Sequence, residues 1–96
     1  MYEQADAVDV LDSIFFSLGS KHDHIRVAAS KELYSIIVLY AQDHTEAEDI
    51  KGLWTDIFHR TFPITRSNNG YERLGAIAAI DKMLDATNEI ARQWRL

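Results

Sequence analysis

Ile25-Arg26-Val27-Ala28-Ala29, running on to Leu33, Ile36 and Ile37, and Glu72-Arg73-Leu74-Gly75-Ala76, running on to Ile80, Met83 and Leu84, are the stretches that decide the fold. Each holds an arginine, an apolar residue and two small residues, then apolar positions at helical spacing. The two arginines stand 47 residues apart. Each phrase also follows an Ile-Phe pair, Ile14-Phe15 and Ile57-Phe58, set 43 residues apart. A period in the low-to-middle forties, built on helical patterns, marks a stacked helical array. A unit of such an array buries its apolar face only against its neighbours.

The flanking sequence supplies four helices. Val8, Leu11, Ile14, Phe15 and Leu18 fall at i, i+3, i+4 spacing and predict a first helix over about 5–18, ended by Gly19 at a position that often takes positive φ. Asp6, Asp9 and Asp12 lie on another face of it. Ile25, Ala29, Leu33, Ile36, Ile37 and Tyr40 predict a second helix over about 23–41, starting near Ser20 or His22. Val27, Tyr34 and Val38 broaden its apolar arc, as in a helix buried on more than one side. Thr45-Glu46-Ala47-Glu48 has the form of a capping box, and Ile50, Leu53, Trp54, Ile57 and Phe58 follow it at helical spacing. Pro63 predicts the end of this third helix before it. A fourth helix is expected over about 71–86, capped by Asn68 or Asn69, with a stripe of Leu74, Ile77, Ala78, Ile80 and Leu84. Gly75 inside that stripe costs up to about 1 kcal/mol in propensity, and close approach of another helix is the expected compensation.

The fold expected is therefore all-α: an α-α superhelix of HEAT or armadillo type. Repeat one covers about 5–41 and repeat two about 45–86. Residues 87–96, with Ile90, Ala91 and Trp94, form the start of a third repeat or a terminal helix. A compact four-helix bundle is the alternative architecture.

Bulk composition narrows the function classes. The chain has 96 residues, 47% of them apolar, and no cysteine. Disulfides, cysteine-ligated zinc and a cysteine nucleophile are excluded. The longest apolar run, Ile36 to Ala41, is far short of the roughly 20 residues of a membrane helix, so no membrane insertion is expected. The acidic start, with Glu3, Asp6 and Asp9, has no resemblance to a signal peptide, and a cytoplasmic location is expected. Residues 1–50 carry three basic and ten acidic side chains, net −7, and residues 51–96 carry seven and five, net +2. That balance argues against a nucleic-acid partner, which calls for clustered Lys and Arg.

Chemistry-bearing patterns are missing. His22 and His24 are two apart, a spacing that points them away from each other on a helix. His44 and His59 have no partner at metal-ligand spacing, and no metal or cofactor is expected. Asp43, Glu46, Glu48 and Asp49 lack the EF-hand order and read as a charged helix start. Gly70 to Gly75 lacks the Lys-Ser/Thr ending of a phosphate loop, and Ser13, Ser17, Ser30 and Ser35 sit inside helical stretches. Trp54 reads as core. Trp94, beside Arg92 and Arg95, is a candidate protein contact, since tryptophan and arginine are enriched at binding hot spots, or else packs on a further repeat. Arg26, Ala29, Leu33, Arg73, Gly75 and Ile80 form the structural repeat motif, with Asp23 a candidate partner for Arg26.

These residues resemble the extreme N-terminal HEAT repeats of the TOR serine/threonine protein kinases. Arg26 with Ala28-Ala29-Ser30-Lys31-Glu32-Leu33 is similar to that family's Arg…Ala-Ala-Lys-Glu-Leu segment. Glu72-Arg73-Leu74-Gly75-Ala76-Ile77-Ala78-Ala79-Ile80 is similar to its Asn-Glu-Arg-x-Gly-Gly-Ile-x-Ala-Ile segment, with Tyr71 in place of the Asn and Ala76 in place of the second Gly. The likeness covers roughly residues 8–86. It implies a growth-signalling scaffold that meets a Raptor-type subunit, a small GTPase and the remaining repeats of a longer chain, in the cytoplasm or at the edge of endomembranes. The kinase activity of that family lies far from this segment, and these 96 residues hold no catalytic site of their own. The alternative is a small stand-alone helical adaptor or dimerisation bundle.

Overall fold

The computed structural model describes the backbone of residues 4–44 and 46–94, and the side chains of 10–44 and 46–93. The chain there forms four α-helices: α1 (Gln4–Leu18), α2 (Asp23–Asp43), α3 (Ala47–Thr65) and α4 (Gly70–Trp94).

Leu11, Ile14 and Leu18 of α1 are buried and Phe15 packs against them, following the expected stripe; the side chain of Val8 lies outside the described residues. The helix closes with i→i+3 bonds, Gly19 N–H to the Phe16 carbonyl at 3.2 Å and Ser20 N–H to Ser17 at 3.1 Å. Gly19 does not take positive φ, as the sequence suggested it would, and neither does any other described residue. What glycine supplies there is space, since a Cβ would stand 3.2 Å from Glu72 Cγ.

Three helix ends differ from the sequence reading. α3 begins at Ala47 with Glu46 as N-cap and no side-chain cap bond; Thr45, the expected cap, lies outside the described residues. Glu48 and Asp49 in its first turn complement the helix dipole instead. α3 also continues through Pro63 to Thr65. A proline this near the end removes a single bond from the last turn, and the Thr65 hydroxyl donates to the Phe62 carbonyl at 2.6 Å. Finally, α4 does not stop near Ala86. Thr87–Trp94 is the continuation of α4 and no separate element. No Gly or Pro interrupts it, Met83, Ala86 and Ile90 carry one buried stripe past the expected end, and the Thr87 hydroxyl bonds the Met83 carbonyl at 2.9 Å.

The packing is organised around α2 and α4, which make the most extensive helix–helix contact. α1 packs on α2 and α3 on α4, while α2 and α3 barely touch. In an up-down-up-down bundle each helix flanks its neighbours in sequence. Here two hairpins, α1–α2 and α3–α4, lie side by side through their second helices. Leu33, Ile37, Leu53 and Ile57 fill the space between them and are almost entirely removed from water.

One expectation about α4 is reversed. The bulky stripe of Leu74, Ile77, Ile80 and Leu84 faces outward, and Gly75, Ala76, Ala79, Met83 and Ala86 face the core. The cause is the distance of approach. A Cβ on Gly75 would overlap the Leu18 carbonyl oxygen and lie 2.6 Å from its carbon. Only a face of small residues lets α4 settle so closely against the end of α1.

Candidate functional site

Two loops are built alike. In the first, the Ser20 hydroxyl accepts the His22 N–H at 3.1 Å, and the Ser20 carbonyl accepts from the Arg26 guanidinium at 2.7 Å. In the second, the Ser67 hydroxyl accepts the Asn69 N–H at 3.0 Å, and the Ser67 carbonyl accepts from the Arg73 guanidinium at 2.6 Å. Ser20 and Ser67 are 47 residues apart, as the arginines are. The repeated arginine therefore ties down the turn that precedes its own helix, six residues back. The sequence reading places Ser20 near a helix start but does not pair it with Ser67, although extending the repeated phrase backwards by six residues reveals the pair.

The arginines differ in what covers them. Arg26 is buried, pairs with Asp23 Oδ1 at 3.0 Å, and lies 5.7 Å from the centroid of the Tyr71 ring of the second hairpin. Arg73 is exposed. Charged hydrogen bonds out of water contribute more than exposed ones. Arg26→Gln is expected to cost about 2 kcal/mol and Arg73→Gln distinctly less, measured by urea unfolding.

The second hairpin is anchored at two further points. Glu72 accepts from the Ser67 hydroxyl and lies against Gly19. Arg60 of α3 pairs with Asp12 of α1 and, at 2.7 Å, with Asp56. Burial disfavours the charge on Arg60, but the two carboxylates more than offset it and hold its pKa above the ordinary arginine value. The Asp12 end of the acidic stripe on α1 is thus a tether between hairpins.

The outer side of the second hairpin is an apolar groove of about 590 Å³ between α3 and α4, lined by Trp54, Phe58, Phe62, Ile80, Met83 and Leu84. Trp54 stacks on Phe58 with ring centroids 5.8 Å apart. A second hollow of about 500 Å³, reaching Ile50 and Ile90, shares Trp54, Phe58 and Thr87 with it, so the two form one trough along the hairpin. Trp54 is thus half core and half groove wall. Ile80, placed in the repeat motif beside Leu33, belongs to this surface, while Ala29 and Leu33 are core.

A different groove of about 400 Å³ lies between α2 and α4 and is polar, with Lys31, Tyr34, Lys82, Asp85 and Arg92 among its walls. Arg92, a candidate protein contact, is found here paired with Glu89. Its companions Arg95 and the Trp94 side chain lie outside the described residues.

Among the described residues no three His, Asp or Glu side chains converge as a metal site. The His44 ring stacks on Tyr40 at 3.8 Å, its Nδ1 3.1 Å from the Tyr40 carbonyl, which holds the end of α2. No described helix is long and apolar enough to cross a membrane. Comparison with protein-family models, curated proteins and solved structures found no match to this chain.

Proposed function

We propose that this chain is a non-catalytic scaffold for protein–protein interaction, made of two HEAT-type repeats of a longer α-superhelix such as opens a TOR-like protein kinase. The duplicated loop tether carries this reading. Two hairpins whose arginine, serine and turn bonds repeat at one fixed spacing are copies of a single structural unit, and such units stack into extended binding surfaces. The dominance of the α2–α4 contact over α2–α3 supports stacking of hairpins rather than closure of a bundle. The two segments similar to TOR N-terminal repeats motivate the choice of family, and with it a Raptor-type subunit or small GTPase as partner in growth signalling in the cytoplasm. Sedimentation velocity of the purified chain mixed with a purified Raptor-type subunit tests the partner. A faster-moving complex is expected; independent sedimentation of both components contradicts it.

The exposed apolar face of α4 favours a second reading, a stand-alone adaptor that dimerises through that face. Sedimentation of the chain alone separates the two, because the scaffold reading predicts no discrete dimer.

A further inference from the structure

The two hairpins meet along α2 and α4, and the seam between these helices opens outward as the polar groove of about 400 Å³. Its walls come from both hairpins. Lys31, Tyr34 and Ser35 belong to α2, and Lys82, Asp85, Asn88 and Arg92 to α4. The α4 residues share one side of that helix, with Lys82 and Arg92 about 15 Å apart along its axis.

Positive charge gathers here against the trend of the chain. The chain is net −5, whereas the groove walls hold three cations and one carboxylate, net +2. These groups are weakly engaged. Among the described residues Lys31 makes no ion pair, and the side chains of Tyr34, Ser35 and Asn88 make no hydrogen bond. Lys82 reaches Asp85 only at 3.5 Å, and that carboxylate is half exposed. Arg92 donates from Nη2 to Glu89 and keeps most of its donors open. Exposed pairs of this kind contribute little to stability, so they yield to a stronger acceptor.

Apart from Asp85, every polar group of the walls can donate: two ammonium heads, a guanidinium, a phenol, a hydroxyl and a carboxamide. Donors that converge from two helices suit a ligand built of acceptor oxygens, and charge-assisted bonds to phosphate oxygens are about twice as strong as neutral ones. We propose that this groove binds a compact polyphosphate group, carried by a small molecule, across the joint between the two hairpins. A row of phosphates matches cations spread along the groove better than one phosphate does. A protein segment is the poorer occupant. Protein contacts are anchored by aromatic and other large side chains in closed pockets. These walls offer only the Tyr34 ring, which already packs against the core. The volume also falls at the lower end of small-molecule sites. The groove shares no lining residue with the apolar trough, so the site stands whether the chain is a scaffold segment or an adaptor. Because both hairpins build it, the ligand couples them and stabilises the folded chain by mass action.

Isothermal titration calorimetry of the 96-residue chain with inorganic tripolyphosphate, in about 50 mM salt, tests the proposal. One site with a Kd below about 1 mM is expected. Lys31→Gln with Lys82→Gln is expected to weaken binding about tenfold or more. Asp85→Asn is expected to tighten it about threefold, because it removes the one carboxylate from the walls and releases Lys82. Lys51→Gln with Arg66→Gln removes the same charge away from the groove and is expected to change Kd less than about twofold. None of these five side chains is buried, so each variant without ligand is expected to melt within about 3 °C of the parent. Absence of binding up to about 1 mM, binding that survives Lys31→Gln with Lys82→Gln, or an equal loss in the Lys51 and Arg66 control overturns the proposal. Weaker binding by Asp85→Asn overturns it too. A peptide with adjacent phosphoserines that binds more tightly than tripolyphosphate also overturns it and gives the groove to a partner protein.

Discussion

Gly75→Ala is expected to destabilise the chain by about 2 kcal/mol or more and to lower its Tm by about 10 °C. Two effects of opposite sign compete at this position. Alanine is the better helix former and by propensity alone would stabilise α4 by up to about 1 kcal/mol. Against that, the new Cβ would overlap the Leu18 carbonyl oxygen, with the carbonyl carbon at 2.6 Å and Leu18 Cβ at 3.0 Å. The two nearest of these are backbone atoms at the end of a helix and cannot swing aside as a flexible side chain would. Either α4 retreats from α1 or the turn after Leu18 shifts, and both loosen the contact between the hairpins. Gly70→Ala is the control, because there a Cβ meets only Arg73 Nη2 at 3.6 Å. It is expected to be close to neutral in the same thermal melt. A Gly75→Ala chain as stable as the parent would mean that α4 does not approach α1 as closely as described.

Leu33→Ala is expected to cost about 3 kcal/mol, within the range for leucine truncation in a core that relaxes only in part. Leu33 is fully buried in the cluster where both hairpins meet, with Ile37, Leu53 and Ile57 equally inaccessible. Small domains commonly hold about 5–15 kcal/mol of total stability, so the loss is a large share for this chain. In urea the midpoint should fall by about 2 M at an ordinary slope for this size. A fall of a few tenths of molar would place Leu33 outside the core.

Much of this architecture is legible in the residues. Leu11, Ile14 and Leu18 recur at helical spacing and are the stripe of α1 that is buried, although Val10 and Phe16 leave apolar side chains on its exposed side. Asp23 stands three residues before Arg26 near a helix start, which makes it a candidate partner, and the two do pair in the structure. Gly75 signals close approach because a glycine inside a helical pattern needs a reason. The orientation of α4 is not legible in the same way. That helix offers two faces for burial, a bulky one through Ile77, Ile80 and Leu84 and a small one through Gly75, Ala76 and Ala79. Hydrophobicity favours burying the first. The Leu18 carbonyl decides for the second, and that carbonyl belongs to another helix, which no local pattern reports. Pro63 misleads for a related reason, since the rule against proline holds for helix interiors and weakens in the last turn. The continuation of α4 past Ala86 depends on Ile90 finding the core, again a tertiary matter. The apolar trough beside Phe58 and Phe62 follows from the same rotation of α4, so the site was hidden by the step that hid the face.

The central claim is that one hairpin unit occurs twice, with the side of its second helix that carries Leu33 covered in the first copy and the matching side, with Ile80, open in the second. Leu33 and Ile80 are the same position of that unit, and one measurement compares them directly: the urea midpoints of Leu33→Ala and Ile80→Ala in the otherwise unchanged chain. A large fall for Leu33→Ala and a fall several-fold smaller for Ile80→Ala is the predicted result. Equal falls would contradict it, because Ile80 would then be covered as Leu33 is.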